Sequence, residues 1–355
     1  MKSFLVLLLI TLFIGEDNQA QNISKIEPPD FSESFLEIRE ILNDPDIPFK
    51  DKLQSLEHHD PDISNPFERY LVSFWYYPNL YQELGMEDRI LPVLQSGQQE
   101  GLFYPLLYAE RKWPPYVKKI EGQEGFDEFL AQNEQMRKEA SENPGSEYFV
   151  VLPKNYDESR NYPLMVVLHG GTGSHYQAYL SWQSPELEKD FIIVFLQGAV
   201  YRGSYGRRYD PESFENTLAM YRQVLDEYPV DTSMVFIGGP SAGGYRSIML
   251  GLRQIIPASG LLLMFPVIPP DLDNTYFKES SERKLRVVLI TGEHDFSIRE
   301  QKELAFRLDT AGIANRFIIF SGKGHEYPDE LEDQIDLSLE FLRMKPERDE
   351  ERLVR

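Results

Sequence analysis

The chain has 355 residues, 41% of them apolar and 13% aromatic, enough to bury at least one large core and to form two or three domains. With 58 acidic against 36 basic side chains the formal charge is -22, which repels phosphate backbones and anionic lipid surfaces and argues against nucleic acid as a partner. Cysteine is absent, so there is no lipobox acylation site, no disulfide framework and no thiolate metal site.

Residues 1–14, MKSFLVLLLITLFI, place one lysine ahead of an unbroken apolar run too short to stay in a bilayer. That is a secretory pattern: residues 1–20 are expected to be a signal peptide processed near Ala20. The mature protein is then secreted or periplasmic and holds no stable membrane span. Residues 21–144 are expected to form a helical N-terminal domain. FLEIREIL (35–42) and FERYLVSFWYY (67–77) carry apolar residues three and four apart, which gives each a face to bury. Pro45, Pro48, Pro61, Pro66, Pro78 and the pair Pro114–Pro115 are expected to cut this region into short helices. The role expected for it is a lid or an assembly surface.

After the turn-forming cluster Asn143-Pro144-Gly145 the texture changes. YFVVLP (148–153), PLMVVLH (163–169), FIIVFLQ (191–197), SMVFIGG (233–239), GLLLMFP (260–266), RVVLITG (286–292) and RFIIFSG (316–322) are short and apolar, and turn residues bound them. Most are separated by stretches of helical length, such as 212–227 and 298–311. The expectation for residues 145–344 is therefore an α/β domain with a mainly parallel sheet and helices on both faces. Residues 345–355 are almost wholly charged and are expected to fray.

The sharpest local signal is Gly239-Pro240-Ser241-Ala242-Gly243-Gly244, between the strand SMVFI and the helical run YRSIMLGLRQII. A turn this tight between strand and helix tolerates no bulk two residues before or after the serine, and it thrusts the hydroxyl above the sheet. Glycine fills both places. At the start of a helix, the Ala242 N–H and the positive helix end face negative charge developing on a bound carbonyl oxygen. Upstream, Leu168-His169-Gly170-Gly171-Thr172-Gly173 also follows a strand. Its bare backbone offers a second donor, with Gly171 preferred and Gly170 as the rival.

The turn HGG, the elbow GPSAGG and the stretches ITGEHDF and GKGHEYP, in that order, resemble the catalytic elements of α/β-hydrolase esterases of the phospholipase/carboxylesterase and feruloyl-esterase-like type. The resemblance covers about residues 146–343. It implies an eight-stranded sheet and a triad in the chain order Ser, Asp, His. Proline before Ser241, where many relatives carry a larger or more flexible residue, is a departure. Of six histidines only His294 and His325 lie downstream of the elbow. His325, in the loop after the last strand, is the expected base for Ser241. The expected acid is Asp295, with Glu293 as the runner-up; Asp295 could instead cap the following helix. No convincing metal site is expected, because adjacent residues such as Glu293, His294 and Asp295 rarely converge on one ion.

The function these residues point to is hydrolysis of a small-molecule carboxylic ester through an acyl-enzyme, with no cofactor required. A peptidase of the prolyl-oligopeptidase type would use the same triad, and a non-catalytic binding protein could keep the same fold. The stretch Tyr201–Asp210, rich in Tyr and Arg, follows a strand and is expected either at the rim of the site or as a plain surface loop. The sequence sets neither the substrate nor the oligomeric state.

Overall fold

The computed structural model describes residues 23–104, 114–142, 145–171, 173–200 and 214–344. The signal peptide expected at 1–20, the charged tail from 345, the Asn143-Pro144 turn and the stretch Tyr201–Asp210 lie outside the described residues.

Eight strands form one sheet: β1 (Ile23–Lys25), β2 (Gly145–Val151), β3 (Tyr162–Leu168), β4 (Ile192–Val200), β5 (Val230–Pro240), β6 (Gly260–Met264), β7 (Arg286–Gly292) and β8 (Ala314–Phe320). Their spatial order is β1-β2-β4-β3-β5-β6-β7-β8. From β4 to β8 every pairing is parallel; β2 runs antiparallel to β4, and β1 pairs parallel with β2. Seven strands coincide with the seven apolar runs. The eighth, β1, comes from the far N-terminal side, so residues 21–144 are not wholly helical.

Every residue of β3 and of β7 is buried, as expected of strands covered on both faces. Alternate side chains serve two cores. Leu164, Val166 and Leu168 face the helices α10 (Glu215–Glu227), α11 (Ala242–Leu252), α12 (Asn274–Glu282) and α13 (Ile298–Thr310). Met165 and Val167 pack with α8 (His175–Ser181), α9 (Pro185–Asp190) and α14 (Leu331–Leu342). This two-sided cover leaves the carboxyl ends of the parallel strands for chemistry.

The N-terminal helices are α1 (Glu33–Asn43), α2 (Phe49–His59), α3 (Pro66–Leu71), α4 (Tyr77–Glu83), α5 (Ile90–Gln99), α6 (Val117–Ile120) and α7 (Phe126–Ser141). They enclose a third core rich in aromatic rings, among them Phe35, Phe67, Tyr70, Phe74, Tyr104 and Phe129. Pro66 opens α3 at a position where a missing N–H costs nothing. Pro78 does not break the chain as expected. A widened π turn at Val72–Tyr76 joins α3 to α4, with the Tyr77 N–H donating to the Val72 carbonyl. Proline at 78 cannot donate to the carbonyl four residues back, and the buried Tyr116 hydroxyl donates to that Phe74 oxygen instead, at 2.6 Å.

This helical unit lies against α8. The Phe67 and Tyr176 rings stack at 5.0 Å, Phe31 meets Tyr179 at 6.1 Å, and the Arg39 guanidinium donates to the Leu180 carbonyl at 3.1 Å. Beneath the contact the buried Glu68 carboxylate accepts both the N–H and the hydroxyl of Ser32, at 2.7 and 2.8 Å, which pins the entry to α1.

Candidate active site

Ser241 stands between β5 and α11 with φ 51° and ψ -114°, a conformation that costs an L-residue on the order of 1–3 kcal/mol. Three backbone bonds hold it there. Its N–H donates to the Met264 carbonyl at 2.9 Å, and its carbonyl accepts from Val267 at 3.1 Å and Tyr245 at 3.0 Å. The glycines around it are steric necessities: a Cβ on Gly239 or Gly243 would come within 2.2 Å of the Leu168 carbonyl oxygen, and one on Gly244 within 2.6 Å of the Pro266 ring. Pro240 is the last residue of β5, so its missing N–H falls at the strand end.

Leu168 also ends β3, and the chain turns there through His169, Gly170 and Gly171 into α8. A Cβ on Gly171 would lie 3.2 Å from that of Ala242, while Gly170 sits over Pro240. The glycine turn is thus folded onto the elbow. Ala242 is the first residue of α11, where N–H groups have no acceptor within the helix. The Gly170 carbonyl accepts from Gly173 at 3.1 Å, and the His169 Nδ1 lies 2.7 Å from the same oxygen. His169 and His175 are both buried.

His325 lies in the loop after β8 and reaches back over the sheet. Its Nε2 is 2.8 Å from the Ser241 Oγ, and its Nδ1 is 2.7 Å from the Asp295 Oδ2. A carboxylate only accepts, so Nδ1 carries the hydrogen, Nε2 is the free lone pair, and the serine hydroxyl donates to it. The Asp295 side chain is fully buried and that of His325 is 23% exposed, so the chain of bonds runs from the interior to a solvent-reachable imidazole. The other Asp295 oxygen, Oδ1, accepts the Ser297 N–H at 2.7 Å and so fixes the turn that leads into α13, whose own N-cap residue is Ser297.

Glu293 points elsewhere. Its carboxylate accepts the Ser321 hydroxyl at 2.8 Å and the Gly322 N–H at 3.2 Å, bonds that hold its pKa below the ordinary value. His294 is exposed, and its N–H donates to the Lys323 carbonyl at 2.8 Å. The three neighbours 293–295 therefore diverge, and among the described residues no group of three His, Asp or Glu side chains is placed to hold a metal. Gly292 lets the two loops meet, since a Cβ there would strike the carbonyls of Lys323 and Gly324 at 2.3 Å.

Sequence reasoning passed over the rings that hold the imidazole. Phe265, strained at φ 37°, meets His325 edge-on at 4.8 Å, and Phe296 lies across the imidazole at 4.3 Å. Tyr327, two residues beyond the histidine, accepts the Trp182 indole N–H at 3.2 Å; burial raises its pKa. The only signal was position: Phe265 stands near the end of the apolar run 260–266 and Phe296 adjoins Asp295.

A mainly parallel eight-stranded sheet with a strained serine at the β5–α11 turn defines an α/β-hydrolase fold. No family model matches the chain, and no curated protein matches it. Among solved structures it is similar to an uncharacterized protein from Bacillus cereus ATCC 10987, at 17% identity over 88% of this chain and 98% of that chain, with a TM-score of 0.48. It is also similar to an S-formylglutathione hydrolase from Staphylococcus aureus, at 16% identity over 54% and 91% with a TM-score of 0.42. A thermophilic esterase from the Planctomycetes species Thermogutta terrifontis matches at 17% identity over 55% and 86%, with a TM-score of 0.41.

Proposed function

We propose that the chain is a serine hydrolase that cleaves small-molecule carboxylic esters through an acyl-enzyme. The observation that carries the reading is the continuous bond chain from Ser241 through His325 to the buried Asp295. In this mechanism the His325 Nε2 takes the hydroxyl proton as Ser241 Oγ bonds to the ester carbonyl carbon. Asp295 fixes the tautomer and stabilises the imidazolium. The Ala242 N–H and the Gly171 N–H hold the oxyanion; Gly171 is favoured over Gly170 because it lies against Ala242. The proton then passes to the alcohol oxygen as the ester bond breaks. Water repeats the sequence and releases the acid. Export of the mature enzyme is part of the proposal and rests on the lysine-led apolar run at residues 1–14.

A fluorophosphonate probe followed by peptide mapping tests it, together with turnover of acetyl esters and of matched peptide amides. The expected result is one adduct, on Ser241, with esters cleaved and amides not. Ser241→Ala is expected to retain the fold and lose about 10⁴-fold or more in kcat. Undiminished turnover in that variant would overturn the assignment.

A further inference from the structure

Phe296 is the most exposed of the large apolar side chains among the described residues, at 71%, and it lies beside the reacting groups. A lone exposed phenylalanine usually needs no explanation. This one packs on the imidazole that bonds Ser241, at 4.3 Å between ring centroids and a 35° tilt, while most of its surface stays open to water. Phe265, on the same imidazole, is by contrast 6% exposed and already supplies a packed wall. Support of His325 therefore does not account for the open surface of Phe296.

The reaction proposed above, on which this inference rests, says what would cover it. His325 Nε2 hands its proton to the oxygen of the departing alcohol, so the group carried by that oxygen must lie on the His325 side of the serine. The open ring on that side is Phe296. We propose that Phe296 is a specificity-determining residue that receives a flat aromatic group on the alcohol side of the ester. The substrate class is then arylmethyl esters. Ser241 Oγ bonds to the carbonyl carbon, the bond from that carbon to the alcohol oxygen breaks, and the serine proton travels through Nε2 to that oxygen. The product alcohol leaves neutral, and no electron donor or acceptor is involved.

The test compares kcat/KM for benzyl acetate, cyclohexylmethyl acetate and ethyl acetate. The acyl group is constant, and the first two alcohols match in size and differ in aromaticity. Aromatic pairing predicts that the wild type favours benzyl over cyclohexylmethyl acetate by about three- to tenfold. Phe296→Leu keeps an apolar contact with His325 and is expected to bring that ratio to about one, whereas Phe296→Tyr retains it. Because the readout is a ratio, a general effect on His325 cancels. No preference in the wild type, or a ratio unchanged in Phe296→Leu, would overturn the assignment of Phe296 while leaving ester hydrolysis standing. Absence of turnover for all three esters, with no fluorophosphonate adduct on Ser241, would overturn the underlying reading and this inference with it.

Discussion

Asp295 and Glu293 stand two residues apart at the end of one strand, and their oxygens go to different partners. Asp295 gives one oxygen to the Ser297 N–H and the other to His325. An asparagine there can turn its amide toward Nδ1, which forces the hydrogen to Nε2 and removes the lone pair that Ser241 needs. Asp295→Asn is therefore expected to lower kcat by about 10⁴-fold, and Glu293→Gln by less than about tenfold. The reverse ranking would transfer the acid role. Glu293 has its own signature in acid. Its pKa is depressed in the folded state by Ser321 and Gly322, so the stabilisation is present above the ordinary value of 4.5 and is lost as pH falls through the lower folded value. Glu293→Gln is expected to lower Tm at neutral pH, with the two Tm curves converging below pH 4.5; curves that stay parallel would remove the effect.

At the scale of elements, the α3–π–α4 segment shows how a helix runs through a proline. The widened turn makes room for the Pro78 ring, and the freed Phe74 carbonyl is answered by the buried Tyr116 hydroxyl. Tyr116→Phe keeps the ring and orphans that oxygen, so urea unfolding should show a loss of about 1–3 kcal/mol. An unchanged midpoint would mean that the oxygen finds another donor. This joint was not legible in the sequence, because proline reads locally as a stop and its remedy comes from a residue 38 positions later. The seven apolar runs were legible, since a strand covered on both faces needs continuous apolarity. β1 was not: three residues, Ile23–Lys25, carry too little pattern to register, and their place is set by pairing with β2 residues 123 positions later. The elbow could be read because steric demand fixes glycine at 239 and 243. Asp295 was preferred to Glu293 from its position after the strand, but Glu293 stayed open there because the outcome depends on which way each side chain leaves the strand end. Phe296 gave only its place beside Asp295, as an exposed ring has no period and no partner residue type.

At the scale of the whole molecule, α8 joins the helical unit to the site. Its N-terminus follows the Gly170–Gly171 turn that lies on Ala242, and its C-cap Trp182 donates to Tyr327 in the loop of His325. Its outer side carries Tyr176, Tyr179 and Leu180, which meet Phe67, Phe31 and Arg39 of the helical unit. In this arrangement the helical unit buttresses α8. Removing residues 22–144 would take the third core away, uncover those tyrosines and strip β1 from the edge of β2, leaving an unpaired strand and a newly exposed apolar patch on α8. The truncated chain is expected to aggregate on expression, as measured by the soluble fraction and by size-exclusion chromatography. A soluble, monomeric truncation that turns over acetyl esters at the rate of the full chain would show that α8 holds both loops unaided, and the buttress would have no part in the chemistry.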